Sequence, residues 1–295
     1  MKNSIFKGVG TAIITPFSDG KIDLVRLSGL IEMQIKGGVD CIVVGGTTGE
    51  AATLSDKERY ELYREAKRMI DGRVKLILGT GTNDTSVAMR HTEFASKLGC
   101  DGVLIVTPYY NKGTEEGILR HYLAIADSSD VPMLLYNVPS RTGVCLSLEL
   151  ISELSKCEQI VGIKEASDSA ERLIALSAMK DKIKLYAGND SQIYTVLSLG
   201  GEGVISVVSN IMPKTASSLC KQFFAGNRET ALEIQRKMLP VINNLFLETN
   251  PAPIKYAMSR LGLCSSEMRL PMWLPTQKTR EKIDEMIRRL GSELK

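Results

Sequence analysis

The stretch Leu98-Gly99-Cys100-Asp101-Gly102-Val103-Leu104-Ile105-Val106 compresses a helix end, a turn and a buried strand into a few residues. Upstream, residues 84–98 carry helical periodicity, with Val87, His91, Phe94 and Leu98 on one face. Gly99 can end that helix in the left-handed conformation, Asp101 solvates the turn, and an apolar, β-branched run follows. The same formula recurs at Gly37-Gly38-Val39-Asp40-Cys41-Ile42 and at Leu199-Gly200-Gly201-Glu202-Gly203-Val204. Repetition of one helix-to-strand joint points to a repeated βα design.

Working outward, short apolar runs occur at 9–15, 41–44, 74–78, 103–106, 132–136, 160–163, 183–187 and 204–208. Runs of this length, rich in β-branched residues, read as parallel strands buried on both faces. Segments of helical period separate them, and Ser55-Asp56-Lys57-Glu58 has the capping-box spacing, as Asp168-Ser169-Ala170-Glu171 does in acidic form. Strand and helix alternate as right-handed βαβ units would. Eight strands with eight connections fit an α/β fold of the (β/α)8 TIM-barrel type, and an open doubly wound sheet is the alternative on pattern alone. After Asn210 the pattern turns all-helical, over 216–224, 228–246, 252–261 and 275–290, with Pro251 and Pro253 separating two of these helices. The expected organisation is a catalytic barrel over 1–225 and a C-terminal helical extension over 226–295, packed on the barrel.

Composition narrows the function. The chain has 295 residues, 37 basic and 34 acidic side chains, and is 43% hydrophobic and 24% charged, an ordinary globular balance with no basic cluster for nucleic acid. Its cysteines, Cys41, Cys100, Cys145, Cys157, Cys220 and Cys264, contain no C-x-x-C pair, which argues against zinc and against a disulfide framework. No apolar leader follows Met1 and no run is long enough to span a membrane, so a cytoplasmic protein is expected. The two histidines, His91 and His121, fall on predicted helices away from strand ends, leaving no Ser-His-Asp triad and no metal cluster to propose. Gly79-Thr80-Gly81 lacks the third glycine of a dinucleotide fingerprint.

In a barrel the chemistry sits at the carboxyl ends of the strands. Lys164 ends the sixth run, and alternation puts it on the face of Gly162 and Ile160. If that face points inward, Gly162 leaves room beneath the amine and Ile160 floors the space. Burial there would favour the neutral, nucleophilic amine that condenses with ketones, whereas a strand-end lysine can also simply snorkel to solvent. Gly45-Gly46-Thr47-Thr48-Gly49-Glu50 offers close backbone N–H groups and two hydroxyls that can hold a carboxylate. Tyr136, at the end of the fifth run, neighbours Lys164 if consecutive strands pair, and could relay a proton or merely pack. Arg141, in Pro139-Ser140-Arg141-Thr142-Gly143, could clamp a carboxylate in two-point geometry or be an ordinary surface arginine.

The combination of Gly46-Thr47-Thr48-Gly49-Glu50, Tyr136-Asn137-Val138-Pro139-Ser140-Arg141-Thr142-Gly143 and Gly162-Ile163-Lys164-Glu165-Ala166-Ser167 resembles the dihydrodipicolinate (4-hydroxy-tetrahydrodipicolinate) synthase family. Gly10-Thr11-Ala12-Ile13-Ile14-Thr15-Pro16-Phe17 and Asn250-Pro251-Ala252-Pro253-Ile254-Lys255-Tyr256 extend the likeness over almost the whole chain. The resemblance implies a class I aldolase-type lyase of lysine and diaminopimelate biosynthesis. Lys164 would form an imine with pyruvate, whose enamine attacks L-aspartate 4-semialdehyde. It further implies Tyr136, Thr47 and Tyr110 as a proton relay, Tyr110 reaching across a dimer interface. Thr47 and Thr48 would take the pyruvate carboxylate, Arg141 the carboxylate of the semialdehyde, and Gly188 and Ile205 would line the pocket. It implies no metal or organic cofactor, and a homo-oligomer, a tetramer built as a dimer of dimers or a dimer.

Sister aldolases, N-acetylneuraminate lyase and the 2-keto-3-deoxy-sugar-acid aldolases, share the lysine and tyrosine, and Arg141 in its context favours the synthase. At the positions where lysine-inhibited members resembling the enteric enzyme carry two histidines and a glutamate, this chain has Asp56, Arg59 and Val87, while Asn83 and Tyr109 are retained. Weak or absent feedback inhibition by lysine is the expectation.

Overall fold

A computed structural model describes residues 2–291, so Met1 and residues 292–295 of the two expected segments lie outside the described residues. Eight parallel strands close on themselves: β1 (Gly8–Ala12), β2 (Cys41–Val44), β3 (Lys75–Gly79), β4 (Gly102–Val106), β5 (Met133–Asn137), β6 (Ile160–Glu165), β7 (Lys184–Ala187) and β8 (Gly203–Ser206). Each pairs with its neighbour in sequence, and β1 pairs with both β2 and β8, completing a TIM barrel. The open-sheet alternative is thereby removed. A short antiparallel hairpin, Phe17–Ser18 with Lys21–Ile22, is an addition the sequence pattern did not suggest.

Strand burial on both faces follows from two separate apolar clusters. The outer one lies between strands and helices and includes Ile42, Val44, Leu78, Ile105, Leu135 and Ile163. The inner one fills the barrel with Phe6, Val43, Ile77, Leu104, Leu134, Tyr186 and Ile205. Phe6 plugs the amino end of the barrel, stacked on Tyr186 with ring centroids 4.6 Å apart. Gly10 makes that possible, since a Cβ there would meet the Phe6 ring at 2.8 Å.

Seven helices follow the early strands: α1 (Leu24–Lys36), α2 (Asp56–Ile70), α3 (Thr85–Leu98), α4 (Glu115–Asp127), the short α5 (Pro139–Thr142), α6 (Leu148–Leu154) and α7 (Ala170–Ser177). The Ser55–Glu58 capping box forms as expected at α2. At α7, however, Ser169 and not Asp168 is the cap, accepting from the Arg172 N–H. Left-handed Gly38, Gly99 and Gly200 occupy the three repeated joints. On α3 the buried face is Ala88, His91, Thr92 and Ala95. That face is turned from the expected stripe because alanine and threonine allow close approach, and Phe94 instead stacks on Tyr60, ring centroids 4.0 Å apart.

Then come α8 (Ile193–Ser198), α9 (Pro213–Phe224), α10 (Arg228–Leu245), α11 (Ala252–Arg260) and α12 (Gln277–Leu290). α9 packs on β1 and completes the helical ring, α10 lies against α8 and α9, and α12 covers α10 and α11. The helical C-terminal run therefore sits on the barrel through continuous packing. All six cysteines are free, and Cys145 is exposed. Among the described residues no helix is long and apolar enough to cross a membrane, and no cluster of metal-ligating side chains occurs.

Candidate active site

At the carboxyl end of the barrel a cavity of about 310 Å³ opens, with Thr47, Thr48, Tyr136, Arg141, Lys164 and Gly188 in its wall. Six of the eight residues singled out in the sequence thus converge on one space. Ile205 does not reach this wall. It is fully buried in the inner cluster with Tyr136 and Ala166, and Val207, two residues on, faces the cavity. Tyr110 does not reach it either. Its side chain is 91% exposed and its backbone is left-handed, φ +68°, so it projects away from its own chain's cavity.

Lys164 and Tyr136 stand side by side because β5 and β6 pair in register there. The Lys164 amine lies 4.1 Å from the centroid of the Tyr136 ring, and Lys164 is 5% exposed. The ring quadrupole attracts the ammonium and excludes water from it. Among the described residues Lys164 takes part in no salt bridge.

The floor beneath Lys164 differs from the expectation. Met133 pairs with Ile160 but Leu134 with Gly162, so Val161 is an extra residue bulged into β6. The bulge sends Ile160 to the outer cluster with Ile163, while Val161 packs against the inner one. Gly162 does face inward, but it leaves no vacant room. A Cβ there would meet Leu134 at 2.7 Å and Tyr186 at 3.3 Å. Leu134 and Tyr186, not Ile160, form the floor.

The outward residue next to the lysine locks the strand end. Glu165, wholly buried, accepts from the Asn137 side chain at 2.8 Å, from the Ser167 N–H at 2.9 Å and from Arg172 Nε at 2.9 Å. Charge-assisted bonds of this kind hold a strand terminus in one orientation, which keeps its neighbour pointed inward. Gly188 is required across the gap, because a Cβ would come within 2.7 Å of the Glu165 carbonyl oxygen.

The Thr47–Thr48 turn is folded by backbone bonds from Gly49 and Glu50 to the Gly46 and Thr47 carbonyls, both 3.1 Å. Glu50 ends it with a left-handed backbone, φ +53°, held by a buried ion pair to Lys255 (2.5 Å) and by the Arg269 N–H (3.0 Å). Asn250 joins the turn to the next clamp. Its side chain donates to Thr48 Oγ1 at 3.0 Å, and its carbonyl accepts from Arg141 Nη2 at 2.9 Å. With one arm tied, the remaining guanidinium N–H groups of Arg141 face the cavity, where a carboxylate would find them. Asn250 was missed in the sequence, where Asn250-Pro251-Ala252-Pro253 reads as a helix break. Asp190 stands in Gly188-Asn189-Asp190 at the end of the seventh strand run, where the sequence alone assigned it no role. It is 1% exposed and lines the same cavity.

A second cavity of about 370 Å³ shares Thr47, Tyr136, Arg141 and Asn250 and extends past Arg59 and Tyr109 to Met272. Tyr110 follows Tyr109 in the chain and is exposed, as are Leu270 and Trp273, which flank Pro271 and Met272 of the same wall.

A nucleophilic amine beside a tyrosine, two hydroxyls on a turn and a cationic clamp can bind a keto acid covalently and a second anion beside it. Comparison with known proteins gives the same direction. The sequence profile of the dihydrodipicolinate synthetase family matches residues 5–290. The 4-hydroxy-tetrahydrodipicolinate synthase of Thermotoga neapolitana is 44% identical over 292 residues, covering 97% of this chain and 99% of that protein. The crystal structure of dihydrodipicolinate synthase from Thermotoga maritima superimposes with a TM-score of 0.95 at 40% identity, covering 98% and 99% of the two chains. A chloride-inhibited dihydrodipicolinate synthase from Acinetobacter baumannii, solved with pyruvate, is 39% identical with a TM-score of 0.94, covering 97% and 99%.

Proposed function

The chain belongs to the dihydrodipicolinate synthetase family, and on that premise we propose that it condenses pyruvate with L-aspartate 4-semialdehyde at Lys164, as a lyase of the class I aldolase type. The observation that carries the reading is the buried Lys164 amine over Tyr136, in one cavity with Thr47, Thr48 and Arg141.

The steps use these groups in turn. Lys164 Nζ adds to the pyruvate ketone carbon, and loss of water gives a cationic imine. Thr47 and Thr48 hold the carboxylate, which orients the methyl group into the cavity. Loss of a methyl proton gives the enamine, whose carbon attacks the aldehyde carbon of the semialdehyde while Arg141 holds its carboxylate. The substrate amine then adds to the imine carbon, closes the ring and expels Lys164 unchanged. Tyr136 and Thr47 carry protons between these steps, and the Tyr136 ring lies with its centroid 4.1 Å from the amine that needs them.

Tyr110 enters this scheme only from a second copy. Its 91% exposed side chain, on a left-handed backbone one residue past Tyr109 in the second cavity's wall, suits donation to a partner's site. A homo-oligomer, a dimer or a tetramer made of two such dimers, follows from that reading. The covalent imine needs neither metal nor organic cofactor, and the reading places the enzyme in the cytoplasm. The 226–295 extension serves the barrel catalytically, since Asn250 and Lys255 support the Thr47–Thr48 turn.

Borohydride reduction in the presence of pyruvate, followed by peptide mass analysis, tests the mechanism. The adduct is expected on Lys164. An adduct on another lysine, or none while turnover persists, would overturn it.

A further inference from the structure

The wall of the Lys164 cavity contains two carboxylates, and they differ in kind. Asp168 is exposed and bonded to the Asn189 side chain at 3.1 Å. Asp190 is 1% exposed, and one of its oxygens, Oδ1, has no hydrogen-bond partner. The other, Oδ2, accepts from the Val207 and Val208 N–H groups at 2.9 Å each. Its own carbonyl accepts from Gln235 Nε2 at 3.1 Å, which fixes the residue from the α10 side. Val207 is itself in the cavity wall, directly after β8.

Two backbone N–H groups do not require an acid. An asparagine oxygen could accept both without burying a charge. A carboxylate with a vacant oxygen, taken out of water, is unfavourable unless a cation faces it. The cations in this wall are Arg141, already tied to Asn250, and Lys164, which has no salt-bridge partner among the described residues. Burial pushes the Asp190 carboxyl up, and the nearby Ser206 hydroxyl, the Val208 and Val207 N–H groups and the Lys164 charge oppose that rise.

Resting on the imine reading above, we propose that Asp190 is a positioning residue for Lys164. It pins the 206–208 backbone at the cavity wall, and it supplies the buried negative charge opposite the cationic pyruvate imine. No bond to substrate is made by Asp190. The charge stabilises the imine against hydrolysis back to ketone and free amine, and it raises the fraction of enzyme poised for enamine formation.

Asp190→Asn keeps an acceptor for the two N–H groups and removes the charge, whereas Asp190→Glu keeps the charge. At subsaturating pyruvate, cyanoborohydride trapping on Lys164 in Asp190→Asn should fall about 10-fold and kcat about 100-fold, with KM for the semialdehyde changed less than about 3-fold. Asp190→Glu should retain trapping to within about 3-fold of wild type. Asn tolerated and Glu not, or both equal to wild type, would overturn the role. Wild type trapping normally in that experiment leaves the parent reading intact, while no Lys164 adduct in wild type would fail the parent reading itself. Should the variants not fold, wild type labelled with carbon-13 at the aspartate carboxyls gives the answer. Pyruvate addition should shift one buried carboxylate signal, and no shift would overturn the proposal.

Discussion

The Lys164 amine sits 4.1 Å above the centre of the Tyr136 ring, on the strand that pairs with its own. On the proposed mechanism ring and hydroxyl have separable tasks, the ring shaping the amine's surroundings and the hydroxyl moving protons. Tyr136→Phe retains the first and removes the second. Pyruvate should still be trapped on Lys164, more slowly, with kcat reduced by about 100-fold or more. Rapid-quench trapping and steady-state rates measure the two. Turnover within twofold of wild type would remove the hydroxyl from the scheme.

Arg141 is anchored through one arm to the Asn250 carbonyl at 2.9 Å, leaving the rest of its fork for a ligand. Losing a charge-assisted pair to a substrate carboxylate costs about 1.5–3 kcal/mol, roughly 10- to 150-fold in affinity. Arg141→Ala should raise KM for the semialdehyde by such a factor and KM for pyruvate only slightly. Equal rises for both substrates would reassign the residue.

Lys255 and Glu50 form a fully buried pair, 2.5 Å apart, with the Lys255 amine also 2.8 Å from the Glu267 carbonyl oxygen. Burial lowers the lysine's affinity for its proton, and Glu50 opposes that. Lys255→Met strands the carboxylate and should destabilise the fold by about 3–5 kcal/mol. Adding Glu50→Gln should restore part of the loss. Urea midpoints of the single and double variants give the comparison, and a double variant no better than the single would contradict the pairing argument.

His121 donates to or accepts from Thr85 at 2.9 Å through Nδ1, while its buried Nε2 has no partner. Burial lowers its pKa to about 4. The unfolded chain protonates this imidazole near pH 6.5, so between about 6.5 and 4 the unfolded state binds more protons. The stability from the neutral His121 is complete above about pH 6.5 and is lost as pH falls toward 4, by up to about 3 kcal/mol. His121→Gln should flatten that part of the pH–stability curve. An unchanged slope between pH 7 and 5 would contradict it.

Lysine should inhibit weakly or not at all. Asp56 is occupied by His91 at 2.9 Å, and Arg59 is buried with Nη2 on the Ala51 carbonyl at 2.6 Å. Arg59 places positive charge in the second cavity, and Val87 offers no acceptor for an ammonium group. A steady-state titration settles the point, and strong inhibition at submillimolar lysine would refute it.

What could be read from the chain divides along a physical line. Strands buried on both faces announce themselves as apolar runs, so all eight were visible, with ends within about three residues. Lys164, Tyr136, Thr47, Thr48 and Arg141 were legible because strand ends in a barrel share one mouth, whereas Gly188 came only through the family resemblance. The Val161 bulge was not, since a single inserted residue leaves the apolar run intact while reversing which side chains face inward. Asn250 and Asp190 were hidden for a different reason. Each acts through a partner remote in sequence, Thr48 and Arg141 for one and Val207 and Val208 for the other, and no local period encodes such pairings.

The hydrogen bond from Asn250 to Thr48, with the Lys255–Glu50 pair behind it, makes the reaction chamber a seam between two stretches of chain far apart in synthesis. On the proposed reading the barrel alone would be an incomplete catalyst, because the Thr47–Thr48 turn is braced by Asn250 and by Lys255 of α11. Exchanging that segment between relatives would transplant part of the substrate grip along with it.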